Sequence, residues 1–252
     1  MKFQVLIASK GRPDCPTAQL LCQGMVPEFT ILVEPGEQAA YEEKWPGRTE
    51  AIPENGKGLA YVRQYALTEM KQKTGWYWML DDDIQGFHEA ANWRCLTVKA
   101  AYALAKAEQQ ILALEAKLGT IGMAGLEYQQ FAWRATKDWM SPGYCDVAVA
   151  INRDAVGPEY DQNFKMKVDR DMTLQYLASG YRVVRLCTLA FSAPKNGSNE
   201  GGLKAAYAQD KLELQMVEAM VAKWGTKICS HVVKPDGRHD CRIDWSALKG
   251  TI

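Results

Sequence analysis

The sequence predicts an α/β fold in one domain spanning residues 1–252, a sheet with crossover helices. Three observations lead there. Short apolar runs, rich in β-branched and aromatic residues, alternate with stretches of helical spacing. Glycine and proline mark where those stretches stop. With 47% hydrophobic residues and neither a repeat nor a linker, the 252-residue chain can bury one sizeable core.

The elements follow in order. The apolar run Phe3–Ala8 is too short for a signal peptide or a membrane span, and reads as a first strand. A helix follows over Pro16–Gln23, and Phe29–Glu34 is a second strand closed by Pro35-Gly36. In Gly58–Thr74, Leu59, Val62, Tyr65, Ala66 and Met70 share one helical face, and Gly75 ends the helix. Trp76–Leu80 is a fully apolar strand that runs straight into Asp81-Asp82-Asp83. The Ala-, Leu-, Glu- and Lys-rich segment Thr97–Leu118 is a long helix capped at Gly119. Strands are predicted near Thr120–Gly125 and Val147–Ile151, a helix over Arg170–Ala178 ending at Gly180, and a strand over Tyr181–Cys187. A polar, Gly-rich loop spans Ala193–Gly202, and a long helix covers Leu203–Trp224. The tail holds one strand, Ile228–Val233, and a turn at Pro235-Asp236-Gly237.

Composition narrows the function classes. Lys plus Arg (30) balance Asp plus Glu (30), so the molecule as a whole has no attraction for nucleic acid or an anionic membrane. Any such contact needs a local patch, and the tail residues Lys227, Lys234, Arg238, His239, Arg242 and Lys249 are one candidate. None of the seven cysteines forms a CxxC pair and their number is odd, which argues against a zinc site or a disulfide framework and fits a reducing cytoplasm.

Three consecutive carboxylates after a buried strand repel one another. A divalent cation relieves that repulsion: Mg²⁺ and Mn²⁺ favour carboxylate oxygens and bridge them to substrate phosphates. The position is also right, because open α/β sheets bind ligands at the carboxyl ends of their strands.

The run Trp-Tyr-Trp-Met-Leu-Asp-Asp-Asp resembles the strand-plus-DxD element of GT-A glycosyltransferases. That resemblance implies a Rossmann-like mixed sheet flanked by helices, with a donor half over about residues 1–90 and an acceptor half over about 91–252. It makes Asp83 the direct metal ligand, places Asp81 near the metal and the nucleotide, and has Asp82 assist one or the other. Upstream, Ala8-Ser9-Lys10-Gly11-Arg12-Pro13 resembles the loop that contacts the base and diphosphate, where Lys10 and Arg12 can meet phosphate. Glu34 ends the second strand where this fold places a carboxylate near the base or ribose. Asn55-Gly56-Lys57-Gly58, with Arg63 one helical turn on, resembles the N-x-G-x-x-x-x-R element of family 2 glycosyltransferases. There a helix N-terminus and Lys57 approach the diphosphate, and Arg63 reaches a phosphate or the sugar.

Downstream, Val168-Asp169-Arg170-Asp171-Met172-Thr173-Leu174 resembles the family 2 pattern E-D-x-[DE]-L, with Val168 in place of the glutamate. The resemblance makes Asp169 the general base of an inverting transfer, with Asp171 as fallback. Asn196, Ser198 and Asn199 of the Gly-rich loop are candidates for a lid and for completing the metal shell. His231 and His239 are later metal candidates, and His88 is placed to face the acceptor. Trp93, Trp133, Trp139, Tyr128 and Tyr144 lie in the part that shapes acceptor sites.

Taken whole, with Gly197-Ser198-Asn199-Glu200-Gly201-Gly202 and the closing Arg242-Ile243-Asp244-Trp245, the chain resembles the TET- and J-binding-protein-associated glycosyltransferases of phages and kinetoplastids. This implies transfer from a UDP-sugar, UDP-glucose first, to 5-hydroxymethylpyrimidine in DNA, with Mn²⁺ or Mg²⁺. It also implies a phage protein of the host cytoplasm, with no membrane and no obligate protein partner. A glycan or small-molecule acceptor is the alternative. A sugar-phosphate nucleotidyltransferase is a further one, although the Gly-rich N-terminal signature of that class is missing.

Overall fold

The computed structural model describes residues 3–68, 75–194 and 211–248. The strands are β1 (Gln4–Ala8), β2 (Thr30–Val33), β3 (Thr49–Ala51), β4 (Trp76–Asp81), β5 (Gly86–Ala91), β6 (Arg94–Val98), β7 (Ile121–Tyr128), β8 (Trp139–Met140), β9 (Ala148–Asn152), β10 (Arg182–Ser192), β11 (Cys229–Val233) and β12 (His239–Ile243). The helices are α1 (Pro16–Gln23), α2 (Gln38–Lys44), α3 (Leu59–Thr68), α4 (Ala100–Leu118), α5 (Gln129–Ala132), α6 (Val168–Ala178) and α7 (Leu212–Trp224).

Among the described residues the main sheet runs β3-β2-β1-β4-β9-β7-β10-β5-β6, with β8 beside β10. β1 to β4 are parallel. β9 is inserted antiparallel between β4 and β7, and β10 runs parallel to β7. The hairpin β5–β6 adds an antiparallel edge. The mixed sheet flanked by helices is therefore the architecture the sequence predicts.

β4 shows why it is central. Alternate side chains point to opposite faces of a strand, and here both faces are apolar. Trp76, Trp78 and Leu80 enter a core closed by α1, α2 and α4, while Tyr77 and Met79 enter one closed by α3, α6 and α7. Each fully buried side chain of this size contributes about 1.5–3 kcal/mol. Carrying that run into three aspartates therefore sets their backbone firmly at the sheet's carboxyl edge.

Several boundaries differ from the sequence reading. Thr97 and Val98 belong to β6, not to the long helix, which starts at Ala100. The β5–β6 turn uses Asn92 and Trp93, both at positive φ (51° and 60°), as a two-residue hairpin turn requires. β10 continues to Ser192, five residues past the predicted end at Cys187. The tail holds a hairpin, β11–β12, rather than one strand. α2, β3, β5, α5 and β8 were not predicted. The last turns of the predicted Gly58–Thr74 helix, the loop residues 195–202 and the start of the predicted 203–224 helix lie outside the described residues. Among those described, no helix is long and apolar enough to cross a membrane.

Candidate functional site

Loops leaving β1, β2 and β4 converge on the aspartates. Thr17, in the first turn of α1, fastens them: its hydroxyl donates to the Asp81 carbonyl (2.7 Å) and accepts from the Ile84 amide (2.9 Å). Its own amide donates to the Asp82 carbonyl at 3.1 Å. The Asp82 side chain turns back under the β1 loop, where Ser9 donates to Oδ2 and Arg12 pairs with Oδ1. Tyr41 of α2 shares a hydrogen bond with Ser9 (2.7 Å) and accepts from the Arg12 amide (2.9 Å). Burial pushes Asp82 up to about 6, against the Ser9 hydrogen bond and the Arg12 charge. Ser9, Arg12 and Asp82 thus form a latch that shapes the loop. Asp83 is more open, a quarter exposed, with Arg12 Nη1 at 3.5 Å.

The second cluster is built on Arg63. Two glycines at positive φ, Gly56 (71°) and Gly58 (88°), turn the chain into α3, and Arg63 follows one turn later. Its guanidinium is 1% exposed, donating from Nη2 to Asp81 Oδ1 at 2.9 Å and from Nη1 to Asp169 Oδ1. Burial opposes its charge, but the Asp169 and Asp81 carboxylates outweigh burial and raise its pKa. Asp81 is pushed up to about 7, first by burial; Arg63 opposes this, and the charges of Asp169, Asp83 and Asp82 add to it. The fork of Arg63 thus joins two carboxylates.

A residue with no place in the sequence motifs completes the group. Asp146 precedes β9 and accepts from Tyr128 Oη at 2.9 Å. It is pushed up to about 6 by burial and then by the neighbouring Asp169 charge, with the Tyr128 and Tyr144 hydrogen bonds opposing. The next residue, Val147, has φ 62°, rare for a β-branched side chain, and its carbonyl receives the Asp81 amide at 2.8 Å. The one sequence signal was an acid at the start of a buried run, the mirror of Asp81 at the end of one.

Other candidates are placed as follows. Lys10 pairs with buried Glu34 at 2.6 Å, and Lys57 pairs with Glu54 at 3.0 Å on an exposed turn. Asp171 is buried and turned onto α7, where Trp224 Nε1 (2.8 Å) and Lys223 (2.9 Å) hold it. His88 is buried on β5 against Ser192 (3.0 Å) rather than facing an open acceptor surface, and burial lowers its pKa. His231 and His239 contact each other on the C-terminal hairpin at 2.8 Å. Trp93 and Trp133 are exposed; Trp139, Tyr128 and Tyr144 are half-buried. Asn196, Ser198 and Asn199 lie outside the described residues.

The family model described as TET-associated glycosyltransferase matches residues 3–202, spanning every element of this site. The chain belongs to that family. A search of curated protein sequences returns no match. Among solved structures the chain is similar to CMP:2-keto-3-deoxy-manno-octonic acid synthetase complexed with CTP, at 12% identity and a TM-score of 0.41, over 88% of this chain and 99% of that one. In this TET-associated glycosyltransferase the carboxylates of Asp81, Asp82, Asp83, Asp146 and Asp169 outnumber the guanidiniums of Arg12 and Arg63 that pair with them. An all-oxygen donor set with excess negative charge fits a hard divalent cation. Among the described residues no three His, Cys, Asp or Glu side chains are grouped as a ready-made metal site. A cation here would take the rest of its shell from phosphate and water.

Proposed function

We propose that this TET-associated glycosyltransferase moves a sugar, glucose in the first instance, from a UDP-sugar to the hydroxymethyl oxygen of a 5-hydroxymethylpyrimidine in DNA. One observation carries the reading. Arg63 ties Asp169 of α6 to Asp81 at the end of β4, so a base-type carboxylate stands beside a donor-type cluster 88 positions earlier in the chain. Asp83 and Asp81 are the residues that would hold Mn²⁺ or Mg²⁺, whose chemistry when bound is to neutralise the departing diphosphate. The β1 loop, shaped by Ser9, Arg12 and Asp82, together with Lys10, Glu34 and Lys57, would border the nucleotide.

Arg63 engages Asp169 Oδ1, which leaves Oδ2 to take the acceptor's proton. As that proton leaves, the acceptor oxygen bonds to the anomeric carbon and the bond from that carbon to the diphosphate breaks, inverting the centre. Arg63 keeps the carboxylate oriented. A pyrimidine in duplex DNA must leave the stack to present its hydroxymethyl group. Exposed Trp133 and Trp93, after the aspartates, support a stacking surface for it.

The test is transfer with Mn²⁺, a panel of UDP-sugars, and oligonucleotides carrying 5-hydroxymethylcytosine or 5-hydroxymethyluracil beside small hydroxylated acceptors, read as UDP release and product mass. Transfer to modified DNA is the expected result. Transfer confined to a glycan, which zero net charge leaves open, overturns the acceptor. Asp169→Ala should lose transfer and keep UDP binding, and full transfer by that variant refutes the base.

A further inference from the structure

The hairpin β11–β12 lies beyond the 3–202 segment matched by the family model, yet it reaches the helix that carries Asp169. The contact is Asp240, 5% exposed. Arg170 grips it with both prongs, Nη1 on Oδ1 and Nη2 on Oδ2 (3.2 Å), and Nη1 also donates to the Cys241 carbonyl at 2.6 Å. Lys167 reaches the same carboxylate at 2.9 Å and Lys234 at 2.7 Å. These cations hold Asp240 well below the usual carboxylate range, although burial works the other way.

Two of the three cations bracket Asp169 in sequence. Lys167 caps α6 at φ 68°, a left-handed conformation uncommon for lysine, and its ammonium also meets Glu213 of α7 at 3.4 Å. Arg170 lies over the Tyr144 ring at 5.4 Å, and Tyr144 stacks on Trp245 with centroids 6.3 Å apart. Tyr144 in turn helps to hold the Asp146 pKa down. One carboxylate from the tail therefore fixes the first turn of α6, draws Lys167 and Arg170 to the far side, and backs the aromatic wall of Asp146. Among the described residues Arg63 is then the one cation paired with Asp169. A peripheral staple would need only one exposed pair, which contributes little; a buried carboxylate holding three cations is a larger commitment.

We propose that Asp240 is a positioning residue for the transfer reaction, holding the first turn of α6 so that Asp169 meets the acceptor. This rests on the reading of Asp169 as base. The full-length chain is compared with Asp240→Asn, Asp240→Glu and Arg170→Lys, the last keeping the charge but losing the fork. Three quantities are read: amide hydrogen exchange over residues 168–172, calorimetric binding of UDP with Mn²⁺, and transfer kinetics with UDP-glucose and a hydroxymethylated oligonucleotide.

Asp240→Asn should speed exchange in that turn about tenfold or more and lower kcat on the order of 10–100-fold, with donor KM and UDP binding within about twofold. Asp240→Glu should recover part of the kcat. If Asp240→Asn does not fold, Arg170→Lys should show the same pattern at about threefold. Unchanged exchange in the folded variants overturns the proposal, as does faster exchange with wild-type kcat, or an equal loss of UDP binding. If the wild-type protein transfers nothing to modified DNA, the acceptor reading fails while the exchange result still decides the clamp.

Discussion

Replacing Arg63 by methionine keeps most of the side-chain volume of α3 and removes the cation between Asp81 and Asp169. Breaking a buried ion pair costs about 3–5 kcal/mol, because the partner charge is left uncompensated. Two carboxylates lose their partner here, but Asp81 is a third exposed and Asp169 a sixth, so water recovers part of the loss and the lower end, about 3 kcal/mol, applies. At about 2–4 °C per kcal/mol for a chain of this size, the unfolding midpoint should fall by about 6–12 °C. Arg63→Lys should lie between, since a single ammonium cannot bridge both acids as a planar fork does. Transfer should drop about 100-fold in Arg63→Met, because Asp169 loses the group that orients it. Thermal unfolding by circular dichroism and steady-state transfer measure the two arms. A midpoint within about 2 °C of wild type, together with wild-type turnover, would falsify the argument that Arg63 joins the two acids.

Asp83→Ala should leave the unfolding midpoint nearly unchanged, because the side chain is a quarter exposed, while Mn²⁺-dependent UDP binding falls about tenfold or more by calorimetry. Chelation with EDTA should reproduce that loss in the wild type, and UDP binding unaffected by either treatment would remove Asp83 from the metal. Asp146 gives a pH test: its folded pKa, about 6, lies above its unfolded value near 3.8, so the folded state holds a proton the unfolded chain has lost, and stability falls between about pH 4 and 6. The isosteric Asp146→Asn should flatten that part of the profile by on the order of 2 kcal/mol, seen as the variant-minus-wild-type difference in urea unfolding at pH 4.5 and 7; a constant difference would contradict it. Gly122→Ala should destabilise the protein by about 1–3 kcal/mol, since a Cβ there meets the Tyr176 ring at 2.3 Å. Tyr176 belongs to α6, so transfer should fall along with the midpoint, and an unchanged midpoint would show that the ring gives way freely.

Much of the fold was legible because the central strands are apolar on both faces and the longer helices carry their own periodicity. Trp76–Leu80 could only be a buried strand, and Pro16–Gln23 matches α1 at both ends. β6 was missed for a physical reason: as an edge strand it exposes Arg94, Leu96 and Thr97 and shows no alternation, and its turn is Asn92-Trp93 without glycine. β12 (His239–Ile243) lacks an apolar pattern too, because Asp240 and Cys241 are buried for their contacts to Arg170. In the site, residue types were readable and partnerships were not. The family resemblance pointed to Arg63 and Asp169, but their pairing spans 106 positions and depends on how α3 and α6 pack on the same face of the sheet. The engagement of both Asp82 oxygens by Ser9 and Arg12 likewise depends on how the β1 loop folds over the end of β4.

The tail hairpin bears on how this protein can be divided. A chain trimmed at residue 202, where the family match ends, would keep Asp81, Asp82, Asp83, Asp146 and Asp169, and every motif would still be present on paper. It would also leave Arg170 and Lys167 without Asp240, Asp171 without Lys223 and Trp224, and Tyr144 without Trp245. For anyone grafting or shortening the protein, the smallest unit that keeps these contacts therefore extends through the 3-10 turn Trp245–Leu248.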